Sequence, residues 1–180
     1  MERRFSAGLE LPAPQRALIV SYSYSGNTQH IARRLQSVTG SDWSEIYPWQ
    51  PYPIEFPELL ELVRSEVNAG YRPRLLPGAR SPRPYPVIMV GSPNWCGTIA
   101  PPLASWIYKN DLSGKLVLPF CSHCGGVDGD LRQSIAALCP RANVGRLLKI
   151  TGKGDGDLDA VLCSWLEQEG ASGIRQVRDG

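Results

Sequence analysis

The sequence predicts a doubly wound α/β domain, a three-layer arrangement with helices on both faces of a five-stranded parallel sheet. Three observations predict it. The short continuous apolar runs Ala17-Leu-Ile-Val20, Val87-Ile-Met-Val90 and Leu116-Val-Leu-Pro-Phe120 are what strands buried on both faces require. Stretches with helical apolar spacing alternate with these runs. Each run also leads into a loop of small polar residues and glycine, as strand carboxyl ends do in such sheets. At 180 residues, with 42% apolar and 20% charged, the chain suits one domain and excludes disorder, a collagen-like repeat or a coiled coil.

In chain order, residues 1–15 have little periodicity and read as a loose leader, so the domain is expected over 16–169 with a polar tail at 170–180. After the first strand, Ile31, Leu35 and Val38 mark a helix. Trp43–Tyr47 is a weaker, more polar strand that belongs at an edge. Phe56, Leu59, Leu60, Val63 and Val67 give a helix face, with Pro57 in its first turn. Segment 70–86 is a Pro/Gly/Arg connector; its Arg72, Arg74, Arg80 and Arg83 read most simply as a solvated loop. Pro101 and Pro102 open a helix carrying Leu103, Trp106 and Ile107. Leu131, Ile135 and Leu138 mark the next, capped by Asp128 or Asp130. Val144–Ile150 reads as the last strand, and Asp157 caps a helix with Leu158, Val161, Leu162, Trp165 and Leu166 on its apolar stripe.

Charge and cysteine usage narrow the function classes. A net charge of +2 gives no argument for nucleic acid. No apolar run approaches the ~18 residues of a membrane span, and the N-terminal stretch lacks the apolar segment of a secretory signal, so a cytoplasmic location is expected. Five cysteines without such a signal are expected as free thiols. Cys121-Ser-His-Cys124 forms a CxxC, read as inert, with a redox pair as the alternative; no four-ligand metal site is evident. Trp43, Trp49, Trp106 and Trp165 are expected in packing roles, and His30 on the surface.

The loops at 21–28, 91–100 and 121–130 are where ligand chemistry belongs. Residues 23–28, Ser-Tyr-Ser-Gly-Asn-Thr, place three hydroxyls and an amide at a helix N-terminus, an anion cradle made of dipoles without Lys or Arg. Neither the phosphate loop of NTPases nor the GxGxxG of dinucleotide folds is present. The 23–28 segment resembles the phosphate loop of flavodoxins, Ser/Thr-x-Ser/Thr-Gly-Asn-Thr after the first strand. Gly91-Ser-Pro-Asn-Trp-Cys-Gly-Thr98 is similar to the segment that cradles the flavin ring in flavodoxin-like proteins. Phe120-Cys-Ser-His-Cys-Gly-Gly126 resembles the last flavin-contacting loop of one branch.

That resemblance implies the strand order 2-1-3-4-5 and a non-covalently bound FMN. Ser23, Ser25, Asn27 and Thr28, with backbone N–H groups around Tyr24 and Gly26, would hold the phosphate. Pro93, Asn94, Trp95, Cys96, Gly97 and Thr98 would line the isoalloxazine, with Trp95 beside it. Ser122, His123, Cys124, Gly125 and Gly126 would touch the ring from the other side. The function implied is electron transfer between redox partners, protein or small molecule. The third loop has no tyrosine to cover the flavin face and the chain is not acidic. An NAD(P)H-dependent FMN reductase of quinones or similar acceptors is therefore the alternative, and a flavin-free binding module the third reading.

Overall fold

A computed structural model describes residues 16–125 and 129–174 of the chain. Its elements run β1 (Ala17–Ser21), α1 (Asn27–Thr39), β2 (Asp42–Glu45), α2 (Phe56–Ala69), β3 (Val87–Trp95), β4 (Thr98–Ile99), α3 (Pro101–Lys109), β5 (Leu116–His123), α4 (Leu131–Leu138), β6 (Asn143–Val144), β7 (Leu148–Thr151) and α5 (Leu158–Gln168). The sheet order is β2-β1-β3-β5-β6, with β7 also on β5 and β4 folded back on β3. All pairings are parallel except that of β3 with β4. This is the expected five-strand order, with β6 and β7 together in the place of the fifth strand.

Residue parity divides the apolar runs into two cores, because successive side chains of a strand point to opposite faces. Leu18, Val20, Ile88, Val90 and Val117 pack with α2, α3 and α4 through Leu59, Val63, Leu103, Trp106 and Ile135. Ala17, Ile19, Val87, Met89, Leu118 and Phe120 pack with α1 and α5 through Ile31, Leu35, Leu162 and Trp165. A doubly wound sheet follows from strands that are apolar on both faces.

The predicted strand at Val144–Ile150 is broken. Val117 pairs with Val144 and Phe120 with Leu148, so two residues of β5 face three on its neighbour. Val117 accepts from Gly145 N–H, and two residues on Pro119 faces the same neighbour with no N–H to give. Side chains take over the displaced backbone groups: Arg132 donates to the Val144 and Gly145 carbonyls, Trp165 donates to Arg146 O, and Glu169 accepts from Arg146 N–H.

Two segments expected as loops are ordered by pairing. β3 continues five residues beyond Val90 and turns through Cys96 (φ 53) and Gly97 (φ 80) into β4, a two-residue hairpin turn with both φ values positive. Connector 70–86 is tied alongside residues 44–49: Trp49 N–H donates to Arg74 O, Leu76 N–H to Tyr47 O, and Arg80 N–H to Ser44 Oγ. Its four arginines are exposed, as expected, and three of them also have partners. Arg72 lies 4.0 Å over Tyr108, Arg74 4.3 Å over Trp49, and Arg80 3.7 Å from Asp42.

Smaller corrections concern helix faces. Phe56 and Val161, both placed on apolar stripes by periodicity, are exposed, and Leu60 is only half-buried. Trp106 and Trp165 are buried, whereas Trp49 is exposed beneath Arg74. Asp130 caps α4, accepting from Gln133 N–H, and Asp157 caps α5, accepting from Ala160 N–H. Asp128 lies outside the described residues, as do the leader and the end of the tail.

Candidate functional site

The loops after β1, β3 and β5 meet over one cleft of about 380 Å³. From the first loop come Tyr24, Ser25 and Asn27. Gly26 sits just before α1 at φ 86, a left-handed conformation that a residue with Cβ adopts at a cost, and no side chain caps the helix there. The opening N–H groups of α1 are therefore left to a ligand or to water. Ser23 does not line the cleft but a neighbouring hollow with Tyr47 and Trp49, and its buried Oγ has no hydrogen-bond partner among the described residues. Thr28 is buried and its hydroxyl lies 2.7 Å from Ser122 Oγ, tying the start of α1 to β5.

The hairpin supplies the second wall with Pro93, Asn94, Trp95, Cys96 and Gly97. Asn94 Oδ1 accepts from Gly97 N–H at 3.0 Å, closing the turn internally. Thr98 faces away from the cleft and its hydroxyl donates to Ser134. Trp95 is held edge-on by three tyrosines, with ring centroids 5.5 Å from Tyr22, 5.8 Å from Tyr24 and 4.9 Å from Tyr52. The backbone at Gly129 presses on the turn so closely that a Cβ there would stand 1.7 Å from Gly97 O.

Ser122, His123, Cys124 and Gly125 form the third wall, while Gly126 lies outside the described residues. His123 braces its own loop: Nδ1 accepts from Gly125 N–H at 3.3 Å, and Nε2 is 3.5 Å from Thr151 Oγ1. The CxxC cysteines part company at the end of β5. Cys121 points into the core, where burial pushes its thiol up to about 11, and Cys124 is exposed at the cleft. Among the described residues, no group of three or more His, Cys, Asp or Glu is placed to hold a metal ion.

A fourth wall was not read from the sequence. Phe56, Leu59, Leu60 and Val63 of α2 line the cleft. The signal was the width of the α2 stripe: five apolar residues, of which the core buries only Leu59 and Val63. No Lys, Arg, Asp or Glu lines the cleft among the described residues, so its field comes from dipoles and ring faces alone.

The family model of flavodoxins matches residues 16–168. The chain belongs to the flavodoxin family. No curated protein matches it. Among solved structures, a Bacteroides eggerthii protein provisionally classed as a flavoprotein superposes with a TM-score of 0.75 at 23% identity, over 86% of this chain and 97% of that one. A Lactobacillus acidophilus flavoprotein in complex with FMN follows at 0.68 and 18%, over 84% and 98%. A WrbA-like flavodoxin from Agrobacterium tumefaciens gives 0.56 and 12%, over 90% and 99%. These likenesses carry the flavodoxin fold. No helix of the described residues is long and apolar enough to cross a membrane.

Proposed function

We propose that this flavodoxin-family chain holds one FMN non-covalently in the three-loop cleft and passes electrons through it between redox partners. The observation that carries the reading is the start of α1. An uncapped helix N-terminus beside a buried Ser23 hydroxyl without a partner among the described residues presents donors suited to an anion with several acceptor oxygens. The FMN complex of the Lactobacillus acidophilus neighbour supports the same choice of ligand.

When bound, FMN supplies reversible one- and two-electron chemistry. The chain's own residues do the rest. Ser23, Ser25, Asn27 and the N–H groups of Gly26 to Thr28 hold the phosphate. Thr28, its hydroxyl engaged by Ser122, contributes through its backbone and by fixing the loop. Asn94 to Gly97 flank the ring on one side and Ser122 to Gly125 on the other, while Phe56 and Leu60 exclude water. With no cationic side chain along the cleft among the described residues, a reduced, anionic ring gains little stabilisation from them, which lowers the potential.

The visible spectrum of the purified chain, before and after adding FMN and desalting, tests the cofactor. A retained flavin spectrum, shifted from that of free FMN, is expected. A colourless protein under saturating FMN would sink the reading. Steady oxidation of NAD(P)H by a quinone would make the holoprotein a reductase; a carrier shows almost none.

A further inference from the structure

Trp95 lines the cleft, and its edge contact with Tyr52 is the tightest in the ring cluster, with centroids 4.9 Å apart. Tyr52 is 8% exposed, and its hydroxyl donates to Glu66 Oε2 at 2.5 Å. Glu66 in turn lines a separate hollow of about 260 Å³ with Tyr71 and Arg72, on the far side of α2's last turn. Ring, phenol and carboxylate thus form a continuous line from the cleft to a second opening in the surface.

The other two tyrosines on Trp95 end differently. Tyr24 donates to the Pro53 carbonyl, a very weak base, and Tyr22 feels the charge of Glu66 but makes no hydrogen bond to a carboxylate among the described residues. A phenol that loses an electron becomes a strong acid, so a buried tyrosine is readily oxidised only when a base within hydrogen-bond reach takes its proton. Of the three, Tyr52 alone has such a base.

We infer that Trp95, Tyr52 and Glu66 form a relay that draws oxidising equivalents out of the cleft. A one-electron oxidant in the cleft takes an electron from the Trp95 indole and is itself reduced by one electron. Tyr52 then returns an electron to Trp95 while its phenolic proton passes to Glu66 Oε2. The products are the reduced oxidant, an intact Trp95, a neutral Tyr52 radical and a protonated Glu66; the reverse transfers restore the start. Burial raises the pKa of Glu66 above its ordinary value, which makes its carboxylate a better proton acceptor. With photoexcited flavin as the oxidant, the relay rests on the FMN reading; with a chemical oxidant it does not.

The test therefore begins on the full chain without flavin. Azide radical generated by pulse radiolysis oxidises tryptophan by one electron, and the decay of the tryptophanyl signal is followed against growth of the tyrosyl signal. The wild type is expected to show an intramolecular phase, independent of protein concentration and slower in heavy water. Tyr52→Phe and Trp95→Phe lose that phase. Glu66→Gln, which keeps an acceptor but not a base, slows it about a hundredfold, the low end of what a positioned base contributes. Tyr47→Phe keeps it, although Tyr47 also donates to a carboxylate, Glu45, at 2.6 Å. Circular dichroism confirms that each variant is folded. Retention of the phase in Tyr52→Phe, or an unchanged rate in Glu66→Gln, overturns the relay. Flash excitation after adding FMN then asks for the same tyrosyl product. If FMN does not bind, the first half has already decided the relay and only the cofactor reading falls.

Discussion

α1 and α5 begin with similar residue types and opposite hydrogen bonding. Asp157 turns its carboxylate onto Ala160 N–H at the start of α5, as Asp130 does on Gln133 N–H at the start of α4. Ser23 and Ser25 stand before α1 and Asn27 and Thr28 open it, all good capping residues, yet none caps it. Gly26 at φ 86 leads the chain into the helix by a path on which no side chain folds back, and Thr28 is committed to Ser122. α2 and α3 also lack a side-chain cap, but both have proline in the first turn, which has no N–H to satisfy; α1 has neither a cap nor a proline in its first turn. A helix start that serves a ligand keeps its N–H groups open, giving up roughly the 1 kcal/mol that a cap is worth.

The largest way to break this contrast is Asn27→Asp, an isosteric change that puts a carboxylate into the first turn of α1. Fold stability rises by about 0.5 kcal/mol, because an anion suits the positive end of the helix dipole. FMN affinity falls by about 3 kcal/mol, roughly a hundredfold, through repulsion of the phosphate at close range. Fluorescence titration and urea denaturation read the two effects; equal affinity for wild type and variant would mean that the phosphate does not sit on α1. Next in size is Gly26→Ala. A Cβ there meets nothing within 4 Å, so only the left-handed backbone resists it, at about 1–2 kcal/mol. Apo stability should drop by that amount and FMN affinity by about tenfold, the loop relaxing away from its open form. An affinity loss with unchanged stability would show that the strain account is wrong.

The helix starts also show where sequence reasoning reached and where it stopped. Asp130 and Asp157 were legible because a cap is a local pattern, an acidic residue just before an apolar period. The parallel sheet was legible because runs such as Leu18 to Val20 have no polar side, which only a doubly covered strand tolerates. The hairpin at Cys96 and Gly97 was not, since Asn94 to Thr98 carry no alternation and are held in strand pairing by each other. Nor was the break opposite Pro119, where two distant segments differ in length by one residue. The arginines of 70–86 are solvated as read, but the rings under Arg72 and Arg74 were not legible, because Tyr108 and Trp49 lie elsewhere in the chain. The three loops of the site were visible as composition; the α2 wall was visible only as apolar residues in excess of what a core needs.

Asp157→Ala removes the cap from α5 and is the structural counterpart of the α1 changes. It should cost about 1 kcal/mol, which for a domain of this size is a fall of about 3 °C in Tm. FMN affinity should stay the same. A matching loss of affinity would mean that the two helix starts are not independent, and the contrast between them would lose its meaning.

The smallest effect concerns a carboxylate at the opposite end of a helix. Glu66 lies in the last turn of α2, where the dipole disfavours a negative charge, and burial raises its pKa above the ordinary 4.5. Between that ordinary value and the raised one, the unfolded chain has released a proton that the folded chain keeps. Stability from this group is therefore fully present below about pH 4.5 and is lost as pH rises through the folded pKa. Glu66→Gln keeps an acceptor for the Tyr52 hydroxyl and removes the titration, so its urea midpoint should fall less than that of the wild type between pH 5 and pH 7. Parallel midpoints for the two proteins would show that the Glu66 carboxylate ionises in the folded chain as it does in the unfolded one, and that its position at the end of α2 costs nothing.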